Sequence, residues 1–259
     1  EGLSLPDALR EAQNRGLAEK DPTLDLSGQD TADKVSVLAS LLTGAGIRIA
    51  AREVDGILGL SATDIAFAGE VLGRRVKLLG VVRIDWKKTS RVEAFVSPVL
   101  VPRDHPLAAV NEEYNAVMVR AEAAGDLMFY GKGAGAGPAA SAVAGDIFML
   151  AREILSSTPA AAPTACRAAL SPLAETVSSF YLRLSARDRP GVLAQVSASL
   201  GRHGISIASI HQPRSVGLHS VPVIITTHPT RVGMFRRALG EILSRPGVSG
   251  QHTVMRLLE

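Results

Sequence analysis

Residues 179–211 read SFYLRLSARDRPGVLAQVSASLGRHGISIASIH, and this stretch changes its hydrophobic period twice. Apolar and polar side chains alternate over residues 179–185, which predicts a strand. The turn Arg189-Pro190-Gly191 leads into helical spacing over residues 192–203. A glycine ends that helix, and residues 205–211 return to the extended pattern. The stretch therefore predicts a strand, a helix and a second strand in succession.

The sequence downstream completes this unit. Residues 220–227 predict a strand, residues 231–244 a helix and residues 251–257 a last strand. The order βαββαβ is that of a ferredoxin-like domain. We place this domain at residues 178–259, after a proline- and alanine-rich linker at residues 157–177.

The first 156 residues predict a separate α+β domain. Helical patterns come first, and glycines or capping residues mark their ends. Extended patterns follow, and they predict a mixed or antiparallel sheet with helices on one face. The helices are predicted at residues 5–15, 30–43 and 138–154, and the stretch from Ser61 to Asp64 resembles a capping box that opens a further helix. The strands are predicted at residues 76–84, 91–101, 116–123 and 126–130.

Composition narrows the possible classes of function. The chain has 259 residues, of which 46% are hydrophobic, and this indicates a folded protein with a sizeable core. The net charge of +3 is spread without basic runs, so we expect no nucleic-acid partner. No apolar run approaches the ~20 residues of a membrane span. One cysteine, Cys166, allows no internal disulfide and fits the cytoplasm, and the histidine spacings match no metal site.

Residues 16–34, GLAEKDPTLDLSGQDTADK, place five carboxylates ahead of or in the first turn of a helix that carries a lysine. Asp30 and Lys34 are four residues apart and share one helix face. A purely structural interpretation is that Asp30 caps the helix, Asp33 supports the cap, and Lys34 forms a surface ion pair.

This stretch resembles the signature of the homoserine dehydrogenase family, which reads approximately Gly-Tyr-Ala-Glu-x-Asp-Pro-x-x-Asp-x-x-Gly-x-Asp-x-x-x-Lys. Every fixed position matches except Leu17, which replaces an aromatic residue. The resemblance implies roles in catalysis, substrate binding and cofactor binding. Lys34 would be the general acid/base, Asp30 would contact the substrate beside it, Glu19 would bind the substrate's amino group, Asp25 would also bind the substrate, and Gly16 would lie near the cofactor.

A second glycine-rich stretch, residues 131–143, reads GKGAGAGPAASAV. It satisfies a dinucleotide-binding pattern, but the second parallel strand and the acidic residue of that fingerprint do not follow. It is similar instead to the second motif of the same family, with Ala139 in place of the usual threonine. The resemblance implies that Gly133 and Gly135 let the backbone approach the nicotinamide. The alternative is a tight strand-to-helix turn.

Residues 184–193 and 203–207 resemble an ACT domain, a small amino-acid-sensing module. The turn ahead of its first helix directs free N–H groups toward an anion such as an amino-acid carboxylate. The resemblance implies a regulatory ligand site, and the alternative is a domain that only pairs with a second copy of itself. The candidate ligand-binding residues are Asp188, Gly191, Val192 and Ser206.

The resemblances together predict an NAD- or NADP-dependent homoserine dehydrogenase of threonine and methionine biosynthesis. It would interconvert L-homoserine and L-aspartate-4-semialdehyde, respond to L-threonine and form a homodimer or homotetramer. In this family a nucleotide-binding domain precedes the region seen here and binds most of the cofactor. The chain opens at Glu1 directly before a helix, so we expect that domain to be missing and the chain alone to be inactive. The alternative is a non-catalytic amino-acid-binding or oligomerisation module.

Overall fold

The computed structural model describes residues 3–86, 91–156, 168–213 and 220–259. Helices and strands follow the order predicted from the sequence, with a few short additions. The helices are α1 (Leu5–Asn14), α2 (Thr23–Ser27), α3 (Gln29–Thr43), α4 (Ala62–Glu70), α5 (Ala136–Ser156), α6 (Val192–Arg202) and α7 (Val232–Leu243). The strands are β1 (Arg74–Asp85), β2 (Arg91–Pro102), β3 (Tyr114–Ala121), β4 (Gly125–Lys132), β5 (Ala169–Leu170), β6 (Val177–Ala186), β7 (Ile207–His211), β8 (Val221–Thr227), β9 (Thr230–Arg231) and β10 (Val248–Leu257).

Local capping explains where several helices begin and end. Ser4 accepts a hydrogen bond from the Asp7 amide at the start of α1. Ser61 and Asp64 form a reciprocal capping box at the start of α4, as the sequence predicts. Gly44 adopts a φ of 66° directly after α3, the left-handed conformation that favours glycine at a helix end.

Six strands form the path of the main sheet in the order β1-β2-β10-β6-β8-β7, and the short β5 and β9 pair with β2 and β6. Within it, β10 runs antiparallel to β6, β6 to β8 and β8 to β7, with α6 and α7 in the connections. This arrangement confirms the predicted ferredoxin-like order. The remaining hairpin, β3 with β4, pairs apart from the main sheet.

The two halves of the chain share this sheet. The last strand, β10, pairs in parallel with β2 through Arg256 opposite Val99 and Leu257 opposite Leu100. Of the predicted linker, residues 157–167 lie outside the described residues. Its later part contributes β5, which pairs in parallel with β2. The predicted domain boundary therefore separates two parts of the chain whose strands pair in one sheet.

Strand β6 is buried on both faces because each face carries a different layer of helices. Its residues Leu182 and Leu184 pack with α6 and α7 in the largest core cluster. Tyr181 points to the opposite face, as alternation along a strand requires, and packs with Phe67 of α4. The first half therefore covers one face of the second half's sheet.

The hairpin and α5 lie outside these cores. Every residue of β4 is exposed, and α5 has no buried residue along its length. Phe148 of α5 is 76% exposed and Leu155 is 86% exposed, so its apolar side chains are uncovered in the isolated chain. Within the described ranges, no helix is both long and apolar enough to cross a membrane.

A buried charged network joins α4 to the second half of the chain. The Asp64 side chain has no solvent exposure, and both its oxygens accept hydrogen bonds from the Arg183 guanidinium, at 2.7 and 3.0 Å. The Tyr181 hydroxyl donates to Oδ1 at 2.8 Å, and the Ser61 amide donates to Oδ2 at 2.9 Å. The Thr253 hydroxyl accepts from Arg183 and donates to the Gly59 carbonyl. Ser61 lies in the same capping box as Asp64, whereas the fold must bring Arg183 and Tyr181 to it from β6.

The charge of this network is stabilised by its donors. Burial alone would raise the pKa of Asp64, but hydrogen bonds from Arg183, Ser61 and Tyr181 outweigh it and lower that pKa below its usual range. Burial, followed by the Asp64 charge and its hydrogen bond, raises the pKa of Tyr181. Asp64 is therefore a carboxylate at neutral pH, and Tyr181 stays a protonated donor.

Gly56, in the loop that precedes α4, packs closely against the end of α2. A Cβ at this position would lie 2.2 Å from the Leu26 carbonyl oxygen and 2.7 Å from the Ser27 backbone. The Ile57 amide donates to that same carbonyl at 2.9 Å. Only glycine permits this close approach of two backbones.

We predict that Asp64→Ala lowers the free energy of unfolding by about 3–5 kcal/mol, because Arg183 is left buried without its partner. Urea denaturation followed by circular dichroism measures this. Glu175→Ala is the matched control, since it breaks the exposed Arg91–Glu175 pair, whose loss should cost about 1 kcal/mol or less. Equal losses in the two variants would contradict the assigned role of the network.

We also predict that Gly56→Ala destabilises the chain by about 1–3 kcal/mol, because the added methyl group meets backbone atoms that cannot rotate away. Gly59→Ala is the control in the same loop, since a Cβ there has no neighbour within 4 Å. Comparable melting temperatures for both variants would show that the close approach at Gly56 is not required.

Candidate functional site

Helix α3 lies tightly on β1, and this contact fixes which face it presents outward. Its buried residues Ala32, Val35 and Ala39 face the sheet. A Cβ on Gly80 of β1 would lie only 2.1 Å from the Val35 Cγ2 atom, so the helix packs directly on the strand's backbone. Asp30 and Lys34 lie at other positions of the helical turn and remain accessible.

Asp30 and Lys34 are brought together as an ion pair, with Lys34 Nζ 2.6 Å from Asp30 Oδ2. The lysine side chain is 64% exposed and the aspartate side chain 41% exposed, so a small molecule can reach both. The ion pair was part of the structural interpretation as well as the functional one. Its position on the surface of α3 leaves both groups free to face a ligand.

The interpretation of Asp30 as the helix cap is wrong. Helix α3 begins at Gln29, and the capping position is Gly28, which has a φ of 80° and no side chain to donate or accept. Asp33 does not support a cap either, because its carboxylate accepts from the Gln29 side chain at 2.9 Å. The left-handed Gly28 makes the sharp turn between α2 and α3, and the Asp30 carboxylate is left for Lys34.

Glu19 and Asp25 lie before this helix, on a segment predicted as a loop. Part of that segment forms the short helix α2, and both residues are exposed. Neither carboxylate forms a hydrogen bond or ion pair with another residue that the structure describes. The structure does not place them in contact with Asp30 or Lys34. Their carboxylates are available to a ligand, unlike that of Asp21, which accepts from the Thr23 amide at 3.1 Å.

The two predicted cofactor segments approach each other through their neighbours. Arg15, next to Gly16, lies 3.3 Å from Glu112 through its Nη2 atom. The Gly133 amide donates to the Glu113 carbonyl at 2.8 Å, and Lys132 pairs with the Glu113 side chain at 3.2 Å. Gly16 and the glycine-rich turn therefore flank the same short segment ahead of β3.

Glycine is favoured at two positions of that turn. A Cβ on Gly133 would lie 2.0 Å from the Asn115 side-chain nitrogen. Gly135 has a φ of 115°, which side-chain-bearing residues rarely adopt. The turn is exposed along its length and leads into the N-terminus of α5. Its backbone is thus open to a bound molecule, which is what a nicotinamide-approaching turn needs.

The predicted regulatory residues divide into two groups. Asp188 and Val192 line a small cleft of about 50 Å³ beside the start of α6. Gly191 is the capping residue of α6, with a φ of 89°, and no side chain occupies the helix's first amides. Ser206 is exposed but is not part of the cleft's lining; its carbonyl accepts from the His228 amide.

Two charged groups of the second half were not identified from the sequence as functional candidates. Arg183 in β6 and Arg256 in β10 are each a single cation within an apolar strand pattern, and that pattern is the signal that could have found them. Arg256 lines a cavity of about 500 Å³ between the two halves. Over the ranges that the structure covers, no group of three or more metal-ligating side chains converges.

The profile of the homoserine dehydrogenase family matches residues 1–148, and that of the ACT domain matches residues 180–244. Homoserine dehydrogenases from Synechocystis and Pseudomonas aeruginosa are each 39% identical to this chain, over 100% and 96% of it. The chain spans 61% and 58% of those two relatives.

Solved structures show the same similarity. A homoserine dehydrogenase from Thiobacillus denitrificans matches with a TM-score of 0.86 and 33% identity, over 100% of this chain and 59% of the other. The Staphylococcus aureus homoserine dehydrogenase at pH 7.0 matches with a TM-score of 0.66 and 30% identity, over 99% and 60% of the two chains. From its catalytic signature to its ACT domain, the chain belongs to the homoserine dehydrogenase family.

Proposed function

We propose that the protein interconverts L-homoserine and L-aspartate-4-semialdehyde with NAD or NADP, in threonine and methionine biosynthesis. The observation that carries this proposal is the accessible Asp30–Lys34 pair, with a separation of 2.6 Å, inside the family's signature stretch. An exposed pair of this kind contributes about 1 kcal/mol or less to stability, so folding gives little reason for it. Proton transfer to and from a substrate hydroxyl is a direct reason for such a pair.

The chemistry of the substrate suits the residues present. Oxidation of a carbinol to an aldehyde releases the hydroxyl proton while a hydride leaves the carbon. Lys34 Nζ, as the neutral amine, accepts that proton, and the resulting ammonium returns it in the reductive direction. Asp30 holds Nζ in position through its Oδ2 atom. Glu19 and Asp25 have unpaired carboxylates in the part of the chain described, and an α-ammonium group of the substrate is a suitable partner.

The nicotinamide cofactor, when bound, accepts or supplies the hydride. The residues of this chain that would lie against it are Gly16, Gly133 and Gly135. The fit rests on the backbone of residues 131–137, which is exposed along its length. Our proposal does not distinguish NAD from NADP, because none of these glycines recognises a ribose substituent.

We propose further that the ACT domain binds L-threonine at the turn before α6 and passes feedback to the catalytic half. Asp188 would bind the ammonium group, and the free amides after Gly191 would bind the carboxylate. Val192 lines the same cleft, and Ser206 belongs to the candidate set by family resemblance. The competing hypothesis is that this domain only pairs with a second copy.

We propose a homodimer or homotetramer that acts in the cytoplasm. The support for assembly is the uncovered apolar surface of α5, whose side chains Ile147, Phe148 and Leu155 are more than half exposed. The support for the compartment is the single cysteine of the sequence, which gives the fold no internal disulfide.

We predict that Lys34→Ala in the full-length protein lowers kcat by about 10²-fold or more, because the proton of the carbinol loses its acceptor. Steady-state kinetics with L-homoserine and either cofactor measure this. Stability should change little, since the pair is exposed. Lys20→Ala, at an exposed lysine of the preceding loop, is the control and should retain full turnover. Near-normal turnover in Lys34→Ala would favour the non-catalytic alternative.

We predict that millimolar L-threonine raises the melting temperature of the chain, because a ligand that binds only the folded state stabilises it. Asp188→Asn should shrink that rise by removing the partner of the ammonium group. Asp104→Asn makes the same change at an exposed position of the first half and should leave the rise unchanged. An identical rise in both variants would exclude the turn as the threonine site, and no rise in the parent chain would favour a domain that only dimerises.

A further inference from the structure

A cavity of about 500 Å³ lies between the two halves of the chain, and its lining includes neither the Asp30–Lys34 pair nor the turn before α6. One wall is formed by Ser27 and by the loop of residues 54–60, which packs beside it. The opposite wall is built from α7 and β10 of the ACT half. Its volume falls in the range of small-molecule sites.

The guanidinium of Arg256 is a charged group of this cavity's lining that lacks a partner. Arg256 is only 4% exposed, yet its side chain forms no hydrogen bond and no ion pair within 4.0 Å among the residues described. It lies over the Phe95 ring at 3.9 Å and near the Phe180 ring at 5.7 Å, so aromatic faces lie beside its charge. Buried charges in proteins are normally paired, because desolvation is costly.

The cation persists despite this environment. Burial lowers the pKa of Arg256 to about 10, which still leaves the group charged at neutral pH. A hydroxyl of the same lining, Ser97 Oγ, is also buried and has no hydrogen-bond partner in the described part of the chain. A donor pair of this kind is what an anionic group such as a carboxylate requires.

The same cavity also offers a carboxylate. Asp55 lines it, remains accessible and pairs with no cation within 4.0 Å among the described residues. Desolvation by burial raises the pKa of Asp55, and the charges of Arg236 and Arg256 oppose that rise. Its backbone is fixed, because its amide donates to the Val96 carbonyl at 2.8 Å. The cavity therefore presents groups of both signs to a ligand.

We propose that this cavity binds a small zwitterionic α-amino acid, with its carboxylate on Arg256 and Ser97 and its ammonium group on Asp55. The apolar remainder of the lining, which includes Val232 and Leu239 of α7, would contact a short side chain. This site is distinct from the turn before α6, whose cleft shares no residue with it.

A ligand here would touch both halves at once. Ser27 precedes the Gly28 turn that starts α3, and Gly56 packs directly on the Leu26–Ser27 backbone. Phe235 of α7 lies on the opposite side of the ligand. Any effect on turnover rests on the proposed function, whereas binding does not, so binding is the quantity to measure.

Isothermal titration calorimetry with L-threonine and L-methionine as probes tests the proposal, in the full chain carrying Asp188→Asn so that binding at the turn before α6 is weakened. We expect at least one probe to bind at millimolar concentration. Arg256→Met should weaken that binding by about tenfold or more, which is the loss expected for a hydrogen bond to a charged group. Arg256→Met should also melt no earlier than its parent, because a buried unpaired charge is replaced by an apolar chain of similar length.

Leu58→Trp is the second variant, since Leu58 lines the cavity but is 64% exposed, so a larger side chain there obstructs the cavity without overpacking a core. It should weaken binding as Arg256→Met does. Asp55→Asn should weaken binding of the amino acid but not of 3-hydroxybutyrate, which lacks the ammonium group. Absence of binding by both probes, or unchanged binding in Arg256→Met and Leu58→Trp, would overturn the proposal whatever the activity of Lys34→Ala.

Discussion

The Asp64 carboxylate sits without solvent exposure between two segments that are more than a hundred residues apart in the chain, and it accepts hydrogen bonds from both. On one side Ser61 caps α4, and on the other Arg183 and Tyr181 come from β6. A carboxylate in such a place is tolerated only when its charge and lone pairs are matched. The two halves must therefore meet in one register, since a shift of one residue along β6 would move Arg183 to the other face of the sheet.

The rest of the architecture is consistent with that meeting. With α4 on β6, the last strand, β10, lies in the sheet beside β2. Its parallel pairing with β2 spans only two residue pairs. The stretch that carries Asp30 and Lys34 depends on the same frame, because α3 rests on β1 at Gly80 and its start is held by Gly56. The candidate catalytic pair is thus on a rigid helix, and its support reaches the ACT half through the loop of residues 54–60.

The sequence predicted the elements well because their signals are local. Caps, glycine stops and alternating strands depend on residues within one or two turns, and α1, α3, α4 and the strands of the second half follow from them. The sharing of one sheet could not be predicted, since a parallel contact of two residue pairs leaves no periodic trace. The capping box of Asp64 was visible, but its partner Arg183 lies 119 positions away. The assignment of Asp30 as a cap failed because a left-handed Gly28 took that position.

Asp64 and Arg256 show two different outcomes for a buried charge in the same interface. The carboxylate accepts hydrogen bonds from Arg183, Tyr181 and the Ser61 amide, so residues of the chain stabilise its charge. The guanidinium has two aromatic rings and no hydrogen bond within the described chain. Stability does not explain an unpaired cation, because an apolar residue of similar shape would suit the core better. A group that costs stability in a cavity of ligand size is best explained by a partner that binds there, and the accessible Asp55 limits that partner to a molecule with charges of both signs.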